Sequence, residues 1–397
     1  MVDPRIESRT ASAARLAQQF ETTFGSRPCI FSAPGRVNLI GEHTDYNDGF
    51  VMPCALDFST KVAIARRHDR RLHIRSLQFP QPFVFDLDRM PETRIGAWPD
   101  YVLGVAAMLT QAGYPLAGAD VLIDSDVPIG SGLSSSAALE VASARALLSL
   151  TAGTYPAHDL PKLCQRAENL FVGARVGIMD QFAACFAKAG HALLLDCRSL
   201  DFKLIELPQN VRLVICNTMV KHEHASGEYN QRRAECEAGV KILSRWHPGI
   251  RALRDLSLEQ LQAHSNEIPA AIFKRCMHVV QENQRVLDAA CCLADDVTRF
   301  KELLRASHRS LRDLYEVSCR ELDIMVQLAE GLPGHLGGRM TGGGFGGCTV
   351  NLVEAAHATD FATRIAERYQ QDTGIKPEIY LSAAADGALA GLDKDAE

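Results

Sequence analysis

Residues 119–148 restrict the fold more than any other stretch. Ala119-Asp120-Val121-Leu122-Ile123 reads as a strand, closed by Pro128, and Leu139, Val141, Ala142, Ala144, Leu147 and Leu148 recur at helical spacing. Between them lies Gly130-Ser131-Gly132-Leu133-Ser134-Ser135-Ser136-Ala137-Ala138. The first turn of a helix has N–H groups without intrahelical partners, and its dipole favours an anion. Glycines let that backbone approach a phosphate without a Cβ in the way. Serines at the helix start can cap it, bind phosphate oxygens or reach a magnesium ion. No Gly-Lys-Ser/Thr follows, so this is not a Walker A loop, and Ser135 stands where a dinucleotide fingerprint needs glycine. By itself the stretch equally suits a tight turn before a capped helix.

With 397 residues, the chain is expected to form two domains sharing one cleft, 1–205 and 206–397. A net charge of −6 offers no basic surface for nucleic acid, and no apolar run approaches the length of a membrane span. Met1 to Thr23 is polar and helix-like, without the apolar core of a signal peptide. None of the 12 cysteines forms a C-x-x-C pair, which suits a reduced, cytoplasmic protein with buried thiols. His222-x-His224 lacks a third ligand and reads as a polar loop.

Three further stretches carry chemistry. Pro28 to Ser32 reads as a strand, followed by Ala33-Pro34-Gly35-Arg36-Val37-Asn38-Leu39-Ile40-Gly41-Glu42-His43-Thr44-Asp45-Tyr46-Asn47-Asp48-Gly49. Turn chemistry explains 45–49 but not Arg36, Glu42 and His43. Glu42, His43 and Asp45 suit a polyol, and a buried Arg36 needs an anionic partner. Asp180 is bracketed by Ile178-Met179 and Phe182-Ala183, with no obvious solvent role. Residues 337–347 hold seven glycines directly before an apolar strand at Val350 and Leu352. That is a heavy entropic cost unless backbone must approach something closely.

The rest reads as scaffold. Residues 60–85 alternate as a half-buried antiparallel sheet, with a turn at His68-Asp69-Arg70-Arg71. Trp98 and Tyr101 open a helix, as core aromatics or as a face for a nucleotide base. Leu160 to Phe171 is helical and carries Glu168, His191 to Asp196 is a strand, and Val211, Leu213 and Ile215 open another. Ser226 leads a long helix, and 268–331 is largely helical.

Together these motifs resemble the GHMP kinases, named for galacto-, homoserine, mevalonate and phosphomevalonate kinases. Residues 35–49, Gly177-Ile178-Met179-Asp180-Gln181 and Glu228-Tyr229-Asn230-x-Arg232-Arg233 resemble the galactokinase branch of that family, and the likeness runs from residue 29 to about 382. The resemblance implies an α+β, two-domain fold with the active site in the cleft between the domains. It implies ATP-dependent phosphorylation of the anomeric C1 hydroxyl of galactose, with Mg²⁺, by a monomer needing no macromolecular partner. Arg36 would stabilise charge on the transferring phosphoryl group, and Asp180 would take the proton from the sugar. Glu42, His43, Thr44, Asp45, Gly177 and Tyr229 would hold the sugar. Gly130, Ser131, Gly132, Leu133, Ser134, Ser135 and Ser136, with Ser76, would hold the nucleotide, and Ser136 with Glu168 the metal. Val176 stands where many relatives have cysteine.

Phosphoryl transfer asks mainly for positioning and charge stabilisation. Asp180 beside Arg36 would stay ionised, as a base or as a positioning group with late proton loss. A non-catalytic sugar sensor of the same fold is the rival class. The complete Ser135-Ser136-Ala137 and the presence of Asp180 argue against it. A substrate modified at C2, such as N-acetylgalactosamine, remains open at this point.

Overall fold

A computed structural model describes residues 9–91, 93–152, 155–221 and 225–390. In chain order its strands are β1 (Cys29–Asn38), β2 (Phe50–Val51), β3 (Pro53–Arg66), β4 (Arg71–Ser76), β5 (Phe83–Asp86), β6 (Ala119–Ser125), β7 (His191–Asp196), β8 (Phe202–Glu206), β9 (Val211–Lys221), β10 (His335–Thr341), β11 (Gly346–Glu354) and β12 (Glu378–Ser382). The alternating segment 60–85 lies in a five-stranded sheet of order β1-β3-β6-β4-β5, antiparallel except for β4 beside β6. One face of that sheet packs on the helices Asp100–Gln111, Ser135–Leu148 and Leu160–Arg166 through Ile64, Ile74, Val121, Val105, Leu109, Val141 and Leu163.

β1 does not stop at Ser32 but runs on to Asn38, so Arg36 sits on a strand. The pairing with β3 slips between Pro34 and Arg36. A bulge is where a strand tolerates proline, because no ladder donor is required there. Gly35 allows the close approach that follows. A Cβ there would lie 2.7 Å from the Leu133 carbonyl oxygen, so the glycine loop can lean directly on β1.

The second sheet, β10-β11-β9-β12, is antiparallel, and the helices Arg320–Glu330 and Ala358–Thr373 cover it through Met325, Phe361 and Ile365. A small sheet, β2-β7-β8, lies in the first half. The 205/206 division falls at the end of β8, yet the halves share a core. Val37, Leu39 and Met52 pack with Leu213, Ile215, Val286 and Val350. The C-terminal segment also returns to the first half: Ala388 and Leu389 donate to the carbonyls of Ala184 and Cys185. The predicted helices over 268–331 appear as Ala270–Cys292, Val297–Ser310 and Arg320–Glu330. The 12 cysteines are free thiols, most of them buried, and no described helix is long and apolar enough to cross a membrane.

Candidate active site

Arg36 and Asp180 meet across 144 residues. The guanidinium grips the carboxylate with two bonds, Nε to Oδ1 at 2.8 Å and Nη2 to Oδ2 at 2.6 Å. Burial opposes the charge of Arg36, but the carboxylates of Asp180 and Glu42 more than offset it, so its pKa is raised. The same guanidinium donates from Nη1 to the Gly132 carbonyl at 2.7 Å, and its backbone N–H to the Leu133 carbonyl. Arg36 therefore pins the glycine loop to the acid. Asp180 lies in the first turn of the helix Met179–Phe186, where a negative charge suits the dipole. Ser134 gives it a third bond, Oγ to Oδ2 at 2.5 Å. Ser134 is in the left-handed region, φ 59°, immediately before the helix Ser135–Leu148. That strained backbone turns its hydroxyl toward the acid, a partnership no local pattern announces.

A cavity of about 300 Å³ opens beside this pair, lined among others by Glu42, His43, Asp45, Gly177, Tyr229 and Asn230. Asp45 accepts the Tyr46 N–H at 2.9 Å. Burial first, then the neighbouring Asp180 carboxylate, pushes its pKa up to about 7. Gly177 is required by Asp45, since a Cβ there would sit 1.8 Å from Asp45 Oδ2. His43 has φ 63° and is clamped between Tyr46 Oη at 2.7 Å and the Gly343 carbonyl at 3.2 Å. Burial drives its pKa down to about 3, so the ring is neutral. Tyr229 lies against it, with ring centroids 5.4 Å apart.

Two of the expected sugar contacts have other primary partners. Glu42 lines the cavity, but Oε1 accepts the Gly342 N–H at 2.6 Å and the Thr341 hydroxyl at 3.2 Å. Its Oε2 faces Asn38 and the fully buried Arg339. Glu42 thus ties the sugar motif to the second glycine stretch, where φ is 84° at both Gly342 and Gly344 and a Cβ on Gly344 would lie 2.3 Å from the Val317 carbonyl oxygen. Thr44 does not reach the cavity. It is 0% exposed and its hydroxyl faces the carbonyls of Gly41 and Phe50, closing the turn.

The two glycine stretches face each other across a smaller cavity of about 200 Å³, lined by Gly130, Ser131, Gly132, Thr341 and Gly343 to Gly347. Glu168 lies not on a plain helix but on a π-helical turn, Ala167–Val172, a local distortion that often marks a site. Ser136 lies close enough to favour the charged form of Glu168, but burial with Asp180 nearby wins and pushes its pKa up to about 7. Gln181 Nε2 donates to Glu168 Oε2 at 2.7 Å and to Glu140 Oε2 at 3.0 Å. Burial drives the Glu140 carboxyl well up. A crowded set of buried acids with a serine hydroxyl is chemistry that suits a hard divalent cation sharing phosphate ligands. Among the described residues no three His, Cys, Asp or Glu side chains form a metal cluster, and His222 and His224 lie outside the described residues. Ser76 lines neither cavity. Its hydroxyl donates to Gln78 Oε1, and Gln78 in turn holds Asp124 and the Ser125 N–H at the end of β6.

Two domains joined around a glycine loop, with an Arg-held aspartate at the helix after a Gly-Ile-Met, define a GHMP-type kinase. Family models agree: "GHMP kinases N terminal domain" matches residues 100–188, "GHMP kinases C terminal" 289–371, and "Galactokinase galactose-binding signature" 18–66. The chain is 47% identical over 380 residues to a galactokinase of Roseiflexus sp. (strain RS-1), covering 95% of this chain and 97% of that one. It is 47% identical over 370 residues to a galactokinase of Chloroflexus aurantiacus, covering 93% and 95%. The structure of Lactococcus lactis galactokinase complexed with galactose superposes with a TM-score of 0.89 at 35% identity, covering 95% of this chain and 99% of that one. The chain belongs to the galactokinase family and is a sugar kinase.

Proposed function

We propose that this kinase transfers the γ-phosphoryl group of ATP to the C1 hydroxyl of D-galactose, giving galactose 1-phosphate and ADP. The observation that carries the reading is the Asp180 carboxylate, held by Arg36 and Ser134 at the wall of the cavity that Glu42, His43, Asp45 and Tyr229 line, beside the glycine loop. The C1 oxygen forms a bond to the γ-phosphorus, the bond from that phosphorus to the β,γ-bridging oxygen breaks, and the proton of the C1 hydroxyl passes to Asp180. Arg36 orients the Asp180 carboxylate with two bonds and offers positive charge beside the phosphoryl path. Asp45 and Tyr229 hold the sugar, with His43 and Glu42 fixing the wall behind it. Residues 130–136 cradle the phosphates. Ser136 and Glu168 would hold Mg²⁺, which supplies neutralisation of phosphate charge when bound.

For the adenine we propose the stacked pair Phe79–Trp98, ring centroids 5.7 Å apart. Phe79 follows the Gln78 bridge to the end of β6, which leads into the glycine loop. Trp98 follows Arg94, whose guanidinium bonds the Val172 carbonyl at the end of the π-helical turn. Phe79 is partly exposed, as a base platform must be.

The intact Arg36–Asp180 pair disfavours the sensor reading. The test is ADP release across galactose, glucose, N-acetylgalactosamine, arabinose and mevalonate. Galactose should far exceed glucose in kcat/KM, because a site with fixed buried partners rejects an epimer that leaves them unpaired. Comparable turnover of galactose and glucose refutes the assignment.

A further inference from the structure

Glu140 and Gln181 form a buried polar pair near the proposed centre, and both are 0% exposed. Neither touches the sugar cavity or the glycine-loop cavity. Glu140 is on the helix that starts at Ser135, and Gln181 is next to Asp180 on the helix Met179–Phe186. The amide nitrogen of Gln181 carries two hydrogens and meets two carboxylate oxygens, Glu140 Oε2 and Glu168 Oε2. In this orientation the amide donates to both acids. Gln181 Oε1 and Glu140 Oε1 have no partner among the described residues, so the arrangement is costly as packing alone. An apolar pair would fill the space at lower cost. What the polar pair supplies is a fixed direction for Glu168.

We propose that Glu140 and Gln181 act as a positioning relay: Glu140 holds the Gln181 amide, which holds the Glu168 carboxylate so that it and Ser136 face one cation. The inference rests on the reading that Ser136 and Glu168 bind Mg²⁺. Because Asp180 and Gln181 are adjacent, one helix turn then sets both the acid that faces the sugar and the orientation of the metal ligand. Partners of this kind, behind a metal ligand, typically change metal affinity by ~10- to 100-fold when removed.

The test reads binding. Titration calorimetry gives the ADP affinity with and without Mg²⁺, and the ratio is the Mg²⁺ enhancement. Galactose affinity without nucleotide and the melting temperature are measured beside it. Glu140→Met and Gln181→Met keep the volume and remove the bonds, and each should cut the enhancement ~10-fold, with galactose affinity unchanged. Glu140→Gln still accepts from Gln181 and should restore the enhancement. Glu168→Gln separates the two layers. If it leaves the enhancement intact, the metal reading itself falls. If it abolishes the enhancement while Glu140→Met and Gln181→Met do not alter it, only the relay falls. A Glu140→Gln variant as impaired as Glu140→Met also overturns the relay. So does failure of both methionine variants to fold while Glu140→Gln folds, which would make the network structural.

Discussion

Galactose binding should release a proton, and Asp45 is the group that gives it up. In the free protein its carboxyl titrates at about 7, raised first by burial and then by the Asp180 and Glu42 carboxylates, with Arg36 pulling the other way. It lines the sugar cavity and spends one bond on the Tyr46 N–H. A sugar hydroxyl donating to Asp45 favours the ionised form, so the bound sugar drags the pKa toward the ordinary carboxylate range near ~4. The sign follows: between those two values the free protein carries the proton and the complex does not. Each sugar bound then releases ~0.9 proton at pH 6, ~0.5 at pH 7 and ~0.1 at pH 8. The dissociation constant for galactose should fall about 5-fold from pH 6 to 7 and about 2-fold from 7 to 8. Calorimetry without nucleotide, in two buffers of different ionisation enthalpy at each pH, measures the proton count directly. Asp45→Asn should bind more weakly and lose both the buffer dependence and the pH trend. Glu168 also titrates at about 7, so the Asn variant is the control that assigns the proton. No buffer dependence at pH 6, or a dependence that survives in Asp45→Asn, refutes the reasoning.

Asp180→Asn keeps an oxygen for Arg36 and Ser134 while removing the base; it should fold, bind galactose and lose at least ~10²-fold in kcat by coupled assay. Near-normal kcat would leave Asp180 only a positioning role. Asp180→Ala leaves the buried Arg36 without its two strongest bonds and should in addition lower the melting temperature. Trp98→Ala should raise KM for ATP about 10-fold, with a stacked base typically worth ~1–3 kcal/mol, and leave KM for galactose unchanged; an equal rise in both would remove the adenine assignment.

What the sequence disclosed, and what it withheld, divides along the range of the forces involved. That Arg36 and Asp180 each need a partner was legible from charge alone, because a buried guanidinium demands an anion and a buried carboxylate a cation; that they are each other's partner across 144 positions came from the family resemblance. The glycine loop was legible because strand, small residues and helix are local periodicities, and the helix does begin at Ser135. Hydroxyls gave no such guidance. Ser134 and Thr44 both stand in site motifs, yet one hydroxyl reaches Asp180 and the other closes its own turn on Gly41 and Phe50. A hydroxyl is satisfied at similar free energy by a near or a far acceptor, so only backbone direction decides, and that direction rests on φ 59° at Ser134. The same holds for Glu42, whose residue type suits a sugar but whose Oε1 is claimed by Thr341 and Gly342, about 300 positions away, while Oε2 faces Asn38 and Arg339. Gly177 shows the converse. Its place in a motif was visible, but its cause, the Asp45 carboxylate lying where a Cβ would be, exists only once both segments are folded against each other. Local pattern therefore located the chemistry, and tertiary contact assigned which atom performs it.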